Sequence, residues 1–333
     1  MLASTEFVRV GNWVFGTGVR AGNPETLFHH LHTELNRLGS SMSRVARLDQ
    51  YYPHAGCVAP YQAARKRAFE GRQVAPSTSV IVSGLQDPQA EFDVQVMAAT
   101  SESGLEPEEI GAGLNRPETS GYTPCLRVGE LVFVAGQLAR DGSGALAARG
   151  TAEETDYIFR RRLRPALEAA DSGQDLVLKA QVYLSNLDES GALHCFHKAW
   201  EKLFENKIPP TTVVAVRHPA FLTPEATVEI NLIAARRSAR SRVRRIERGE
   251  AHASMLDGLL FVGGLGGADL DEVVEKAKPL FAEAGVELSK VVRALVFHAG
   301  RRGIAEARLP FRFTAVEVQA GLTVDLWGYA PQP

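Results

Sequence analysis

The sequence predicts an α+β protein made of three tandem units, packed as a closed ring with the sheets inside and the helices outside. Two observations lead to this fold class. A strand-like run that ends in glycine occurs three times, and the same alternation of helix and strand patterns follows each copy. A sheet covered by helices on one face must bury its other face, and three such sheets can bury one another. Three units strung out without mutual contact are the alternative.

The composition is that of a globular protein and excludes several classes. The chain has 333 residues, of which 45% are hydrophobic, with 37 Lys and Arg against 39 Asp and Glu. This length allows two or three domains with their own cores. The near-neutral charge disfavours nucleic-acid binding by bulk charge. The chain begins directly in strand-like sequence and has no apolar run long enough to span a membrane.

The three cysteines are scattered along the chain. Cys57, Cys125 and Cys195 form neither a disulfide framework nor a zinc-binding spacing. Together with the absence of a signal peptide, this predicts a cytoplasmic protein in a reducing compartment.

Each unit opens with a strand and a helix. The repeated strand patterns are GNWVFGTG (11–18), GELVFVAGQ (129–137) and DGLLFVGGL (257–265), and helix patterns follow at 27–39, 153–171 and 270–285. A proline in a helix interior is costly, yet Pro165 and Pro279 each lie six residues before the end of the predicted helix. Their matching positions predict a shared local geometry.

The remaining elements complete a β-β-α-β-α-β-β order. Strand patterns follow at 44–52, 176–184 and 290–298, then a second helix that shrinks in the third unit to about GIAEARL, and two closing strands. The predicted domains are 1–99, 119–236 and 251–331, joined by a linker at 100–118 and a basic linker at 237–250.

The second unit carries a family resemblance. GYTPCLRVGELVFVAGQ, LVLKAQVYLSNLDE, FHKAWEKLFENKIPPTTVVAV and TVEINLIAA occur in that order within residues 121–235 and resemble the reactive intermediate deaminase (Rid) family. The first and third units look like diverged copies. Single-domain members of this family form trimers with clefts between subunits. The resemblance therefore implies a single-chain pseudo-trimer, or a homo-oligomer of such chains. The architecture is also distantly similar to those of chorismatases and of cyanuric acid hydrolase and barbiturase.

The resemblance also implies the site residues. Deaminating members hold the substrate carboxylate with an arginine in a P-x-R motif, and a planar guanidinium suits that task. Aligned by sequence, this position is Thr78 in the first unit, Thr211 in the second and Arg312 in the third. The family's cleft tyrosine corresponds to Tyr122, and its carboxylate on the last strand corresponds to Glu229.

Other cleft positions follow from the same alignment. Asp93 and Asp325 are the expected counterparts of Glu229, and Ala135 and Gly136 form the strand end where the family often has a serine. Because Tyr122 and Glu229 lie in the second unit and Arg312 in the third, we expect one cleft with the full set of residues, between these two units. The predicted catalytic residues are Arg312, Glu229 and Tyr122, and the predicted substrate-binding residues are Thr211, Ala135, Gly136, Asp325 and Thr78.

The family reaction is the hydrolysis of an enamine or imine with release of ammonia. The resemblance implies a small carboxylate substrate and no cofactor, with Arg312 as anion clamp and Glu229 as the group that orders water or moves a proton. Two other functions remain open. One is a specialised enzyme on the same scaffold: a cyclase, a dehydratase, a ring-opening hydrolase or a chorismatase-like enzyme. The other is a non-catalytic protein that binds small ligands or acts as a scaffold.

Two further patterns are interpreted as structural. The helical histidines have no carboxylate or cysteine that completes a ligand set, so no metal site is predicted; these are His29, His30, His32, His194 and His197. The arginine runs at 160–164 and 236–248 are interpreted as a solvated face or an ion-paired seam between units. RNA binding is the alternative for these runs, but they have no interleaved aromatic residues, so no nucleic-acid partner is predicted.

Overall fold

In a computed structural model, the chain forms three mixed sheets, each with helices of its own. The structure describes residues 6–69, 74–111, 113, 121–185, 191–205, 207–300, 304 and 309–330. We call each sheet with its helices the first, second or third unit.

The first unit contains a five-stranded sheet in the order β1-β2-β6-β3-β4. Its elements are β1 Glu6–Val10, β2 Trp13–Ala21, α1 Pro24–Arg37, β3 Val45–Tyr52, α2 Val58–Ala68, β4 Ser77–Ile81, β5 Gly84–Leu85 and β6 Phe92–Ala99. Helix α1 starts where the sequence favours a start, because the Asn23 side chain accepts from the Thr26 amide and Pro24 opens the first turn. The short strand β5 leaves this unit and pairs with the third sheet.

The second unit repeats the same order with one strand added at its edge, β7-β8-β9-β12-β10-β11. Its elements are β7 Pro107–Glu109, β8 Cys125–Val128, β9 Leu131–Gln137, α3 Thr151–Ile158, α4 Arg164–Ala169, β10 Val177–Leu184, α5 Ala192–Leu203, β11 Thr211–Ala215 and β12 Val228–Ala235. Helices α3 and α4 are joined without a break by a π-helical turn, Phe159–Leu163.

The third unit again repeats the order, β13-β14-β15-β19-β17-β18, and ends on β5. Its elements are β13 Arg244–Arg248, β14 Ala251–Leu256, β15 Leu259–Val262, β16 Leu265–Gly266, α6 Leu270–Ala284, β17 Val291–His298, β18 Thr314–Glu317 and β19 Leu322–Tyr329. The shortened second helix predicted around GIAEARL falls almost entirely outside the described residues.

Both segments predicted as linkers contain strands. In the first, β7 pairs with β8, and in the second, β13 pairs with β14, each at the outer edge of a sheet. A sheet edge has unpaired backbone donors and acceptors, and a neighbouring stretch of chain can satisfy them. The sequence does not reveal this pairing, because both segments are rich in charged residues and have no strand-like apolar alternation.

The two helical prolines are accommodated in different ways. Pro279 lies inside α6, whereas Pro165 lies in the first turn of α4, directly after the π-helical turn. Proline cannot donate to the preceding turn, and a π-turn relieves that mismatch by shifting the hydrogen-bond register. The shared geometry predicted for Pro165 and Pro279 is therefore wrong in detail.

The hydrophobic core has an outer and an inner part. Three outer clusters each pack the helices of one unit against its own sheet. Two inner clusters contain residues of all three units, among them Phe15, Phe133 and Phe261 in one and Tyr51 in the other. The second face of each sheet is thus covered by the other sheets. No helix in the described part of the chain is long and apolar enough to cross a membrane.

Three buried cations at equivalent strand positions link the units. Arg47, Lys179 and Arg293 each face the last strand of their own unit at the same register. Each also contacts the next unit: Arg47 donates to Asn231 Oδ1 (2.6 Å), Lys179 to the Val262 carbonyl (2.5 Å), and Arg293 to Asp49 Oδ2 (3.3 Å).

Three buried threonines repeat the pattern. Thr78 accepts from Asn231 in the second unit (2.8 Å), and Thr212 donates to Asp325 in the third (2.9 Å). Thr314 donates to Asp93 in the first unit (2.7 Å). The contacts run from first to second, second to third and third to first, so each unit is bonded to both others.

Candidate functional site

A cavity of about 520 Å³ lies between the first and second units. It is lined from the first unit by Ala55, Val58, Ala59, Gln62, Ser77 and Ser79, and from the second by Tyr122, Gly136, Gln137, Leu138, Arg140, Asp141, Gly144, Arg162, Leu222 and Glu229. This volume lies in the range of small-molecule binding sites. We call it the inter-unit cavity.

Glu229 is the buried acid of this cavity. It lies on β12, between apolar neighbours of the sheet, and only 6% of its surface is exposed. Burial raises the pKa of Glu229 to about 8; Arg140 opposes the rise, and Asp49 adds to it. The carboxyl group is therefore mostly protonated at neutral pH and can donate a hydrogen bond or a proton.

Gly136 makes room for that carboxyl group. A Cβ atom built on Gly136 would overlap a carboxylate oxygen of Glu229. The backbone at this strand end lies directly against the acid, which only glycine allows. Gly136 and Glu229, both predicted as site residues, line the same cavity.

Tyr122 reaches the cavity from the segment before β8. It is held across the unit boundary, since it forms a backbone bridge with Val74 and the next amide, of Thr123, donates to the Val74 carbonyl (2.9 Å). Burial raises the pKa of the Tyr122 hydroxyl, and the nearby Glu229 adds to the rise. Tyr122 therefore stays a neutral hydroxyl, able to donate and accept.

Two guanidinium groups lie on the wall of the second unit. Arg140 follows β9 and donates through Nε to Thr223 Oγ1 (2.5 Å). Arg162 lies on the π-helical turn and donates through Nε to Gln137 Oε1 (3.2 Å). Burial lowers the pKa of Arg162, and the nearby Arg140 lowers it further. The cavity therefore combines a neutral acid with positive charge.

Strand register corrects the alignment of the arginine position. In the second unit, Thr211 pairs with Ala180, the fourth residue of β10. In the first unit, Ser77 pairs with Leu48, the fourth residue of β3. In the third unit, Thr314 pairs with Leu295, the fifth residue of β17, so the equivalent position is Phe313. The P-x-R assignments of Thr78 and Arg312 are therefore wrong by one residue. The sequence could not settle this, because each segment has a proline at a slightly different offset.

Arg312 lies away from the inter-unit cavity. It lines a separate cavity of about 500 Å³ with Phe7, Thr17 and Phe311, while Tyr122 and Glu229 line the inter-unit cavity. The prediction of one cleft that joins Arg312 to Tyr122 and Glu229 between the second and third units is wrong. Which strand ends meet depends on the tertiary contacts between the units, and the sequence does not contain them.

Asp325 is likewise displaced from its predicted place. The residue at the register of Glu229 and Asp93 in the third unit is Thr323. Asp325 lies two residues further along β19, fully buried in the centre, where it contacts Lys179 and accepts from Arg293. Both cations lower the pKa of Asp325. Its role as a substrate-binding residue is therefore replaced by one in the central ion network.

At the other two boundaries, the residues equivalent to those of the site form hydrogen bonds with the protein itself. Between the second and third units, Thr211 accepts from Trp200 Nε1 (3.1 Å), and its carbonyl accepts from the Gly264 amide (3.0 Å). Between the third and first units, the Arg20 side chain bonds to Asp93, Thr314 and Gln86. Ala135 is buried beside Gly136, and its carbonyl accepts from Gln137.

Apart from Arg162, the patterns interpreted as structural lie outside the residues that line the cavity. Within the described ranges, no group of three metal-ligating side chains comes together. Most arginines of the segment 236–248 pair with carboxylates of the second and third units, among them Asp171, Asp175, Asp257 and Glu283. The interpretation as an ion-paired seam is confirmed for this segment.

Three residues that line the inter-unit cavity are not among the residues predicted from the sequence. Ser77 was missed because of the register error, and Arg140 because it lies in a loop without a recognisable motif. Arg162 belongs to the arginine run interpreted as a solvated face or an ion-paired seam between units. A signal for Arg162 existed: Pro165 predicts an irregular helical turn, and π-turns often occur at functional sites.

Comparisons with known proteins place the second unit in a family. Residues 113–236 match the family model described as Endoribonuclease L-PSP. The RutC family protein UK114 of Drosophila melanogaster is 30% identical over 113 residues, which are 34% of this chain and 78% of that protein. Protein HMF1 of Saccharomyces cerevisiae is 25% identical over 118 residues, or 35% of this chain and 86% of that protein.

A solved chorismatase shares the fold over a larger part of the chain. Its structure superposes with a TM-score of 0.52 at 12% sequence identity, and it covers 70% of this chain and 80% of that one. At this identity the likeness concerns the fold alone. It extends well beyond the segment that matches the family model.

Proposed function

This chain belongs to the Rid family, which includes the RutC and UK114 proteins, and from that premise we propose that it is a cofactor-free hydrolase acting on small imines, enamines or related carboxylates. Membership of this family supports a deaminase-like or binding role toward small molecules. The proposed site is the inter-unit cavity. One observation carries the proposal: Tyr122 and Glu229, two cleft residues of the family pattern, line the same cavity, and Glu229 is buried with a pKa of about 8.

In the proposed reaction the protonated Glu229 starts the sequence. It gives its proton to the enamine carbon, which yields an iminium ion, and the resulting carboxylate then takes a proton from water as the oxygen attacks the iminium carbon and forms a carbinolamine. Glu229 then protonates the carbinolamine nitrogen, ammonia leaves with the electrons of the C–N bond, and the hydroxyl proton returns to Glu229 as the carbonyl forms. The products are a carbonyl compound and ammonia, and Glu229 ends in its starting state.

The other cavity residues bind and orient the substrate. Tyr122 hydrogen-bonds the reacting nitrogen or the attacking water. Arg140 and Arg162 supply the positive charge that binds the acidic part of the substrate, because the position of the family arginine is Ser77 in this cavity. Arg65 lies directly behind Ser77 and donates to its hydroxyl (3.0 Å), which adds positive charge behind the wall. These placements fix the carboxylate relative to Glu229.

We also propose that the three units are tandem Rid-like domains that form a pseudo-trimer within one chain. The common strand order of the three sheets supports this, as do the inner clusters shared by all three units. The predicted domains 1–99, 119–236 and 251–331 fit these sheets if β7 and β13 are counted with the units whose sheets they extend.

A specialised enzyme on the same scaffold is the second candidate. Ser77 favours it, since a site without the family arginine in its usual place need not keep the family substrate. Such an enzyme would close, open or dehydrate a small carboxylate without releasing ammonia. Measuring whether ammonia is released distinguishes the deaminase from the specialised enzyme.

The test follows an imine made in the assay by an amino acid oxidase. We expect the wild-type protein to shorten the lifetime of the imine, read as less semicarbazone on trapping and faster ammonia release. Glu229→Gln removes the proton donor while keeping its shape, and we expect a loss of at least about 100-fold. Tyr122→Phe keeps the ring and removes the hydroxyl, with a smaller loss.

The control is Glu201→Gln, an exposed glutamate on α5, which should retain full activity. Wild-type protein that leaves the imine lifetime unchanged across a panel of amino acids would refute the deaminase proposal. Binding of carboxylates without turnover would instead support a ligand-binding role.

A further inference from the structure

The two half-buried cavity arginines differ from three other buried or half-buried arginines in their partners. Arg20, Arg47 and Arg293 each contact a carboxylate. Neither Arg140 nor Arg162 has a carboxylate within ion-pair distance among the residues that the structure describes; their bonds go to a hydroxyl and to an amide. Both therefore carry a charge that the described part of the protein leaves unbalanced.

Two acids line the cavity with these arginines, and neither forms an ion pair with them in the described part of the protein. Glu229 is buried and protonated. Asp141 is engaged by its own turn, where its Oδ1 accepts from the Ser143 and Ala145 amides and from the Ser143 hydroxyl. Two like charges held on one wall repel each other, and partial burial strengthens that repulsion. An arrangement of this kind is stabilised when an anion occupies the space between or beside them.

The cavity also has an apolar side and more room than a three-carbon acid needs. Val58, Ala59, Leu138 and Leu222 line it, and its volume is about 520 Å³. A carbon skeleton with acidic groups would fill both the apolar and the basic parts.

We propose that the ligand of the inter-unit cavity is a small organic dianion, with one carboxylate held by Arg140 and the other by Arg162. The inference rests on the proposed function, because it names the substrate class of the same site. It assigns specificity to two arginines of the second unit. A monocarboxylate can engage only one of them fully, whereas a dicarboxylate balances both charges.

Binding of matched acids tests this without any turnover. Titration calorimetry compares succinate with butyrate and adipate with hexanoate, pairs that differ in the second carboxylate, and includes inorganic phosphate. We expect at least one dicarboxylate to bind about tenfold or more tightly than its partner, since one charge-assisted hydrogen bond is worth that much. Arg140→Gln and Arg162→Gln should each reduce the affinity for that dicarboxylate to the level of the monocarboxylate.

The control is Arg161→Gln, an exposed residue on the same π-helical turn, which should leave every affinity unchanged. Equal affinities within both pairs would overturn the proposal. So would a preference for phosphate over all the dicarboxylates, since both guanidinium groups would then grip one anion.

The binding experiment and the imine-hydrolysis experiment can fail independently of each other. Tight, arginine-dependent dicarboxylate binding without hydrolysis of any imine supports the dianion and contradicts the deaminase. Hydrolysis of monocarboxylate imines that is unaffected by Arg162→Gln does the reverse.

Discussion

Replacing Glu229 with glutamine should change how the stability of the protein depends on pH. In the folded protein, burial raises the pKa of this carboxyl group to about 8, from an ordinary value of 4.5. A folded-state pKa above the unfolded value means that the folded state binds the proton more tightly. The stabilisation is complete below pH 4.5 and is lost as the pH rises through about 8. Glutamine cannot ionise, so the variant should not show this loss.

The magnitude follows from the size of the shift. Each pKa unit corresponds to about 1.4 kcal/mol, so the shift from 4.5 to about 8 sets an upper bound of about 5 kcal/mol. Between pH 5 and pH 8, the linkage relation gives a loss of about 3 kcal/mol from this group in the wild-type protein. Relative to wild type, Glu229→Gln should therefore become more stable by about that amount as the pH rises across this range.

Urea unfolding at pH 5, 6, 7 and 8 measures the difference. Contributions from other titrating groups cancel when the variant is compared with wild type at each pH, provided that they do not interact with Glu229. The exposed substitution Glu201→Gln should give a difference that stays flat with pH. If the difference for Glu229→Gln is equally flat, then Glu229 is not a buried neutral acid, and the proton-donor role fails with it.

Two other substitutions test the site and the centre. Gly136→Ala should displace the Glu229 carboxyl group and lower activity, measured as ammonia release, by about tenfold or more. Gly142 has open space around it, so Gly142→Ala should keep full activity. Equal activities of the two variants would contradict the close approach of Gly136 to Glu229. Arg293→Met leaves Asp49 and Asp325 without their shared partner, and urea unfolding should show a loss of stability of about 3–5 kcal/mol. The exposed Arg242→Gln should cost less than about 1 kcal/mol. A small loss at both positions would show that the central network is not needed for stability.

The sequence predicts the elements well because each strand and helix follows from a local pattern. The three glycine-ended strands and the amphipathic helices depend on residues within about ten positions of one another, and the structure has them where the patterns occur. The strands β7 and β13 could not be predicted, because they form only through pairing with an edge that lies elsewhere in the fold.

The site was predictable only in part, for a related reason. Glu229 and Gly136 meet because they lie on neighbouring strands of one sheet, an arrangement that the repeat order already implies. Ser77 and Arg312 depend on a strand offset of one residue, and a proline-based alignment does not resolve such an offset. Arg140 and Arg162 enter the cavity through a loop and a π-turn, for which sequence patterns are weak.

The sequence by itself determined the strand and helix patterns of the three sheets and their helices, because periodicity and glycine positions are local properties of the chain. Only the tertiary structure decided which units share a cavity. That choice depends on the order in which the units follow one another around the centre. The buried contacts of Arg47, Lys179 and Arg293 between units settle that order, and no single segment of the chain contains it.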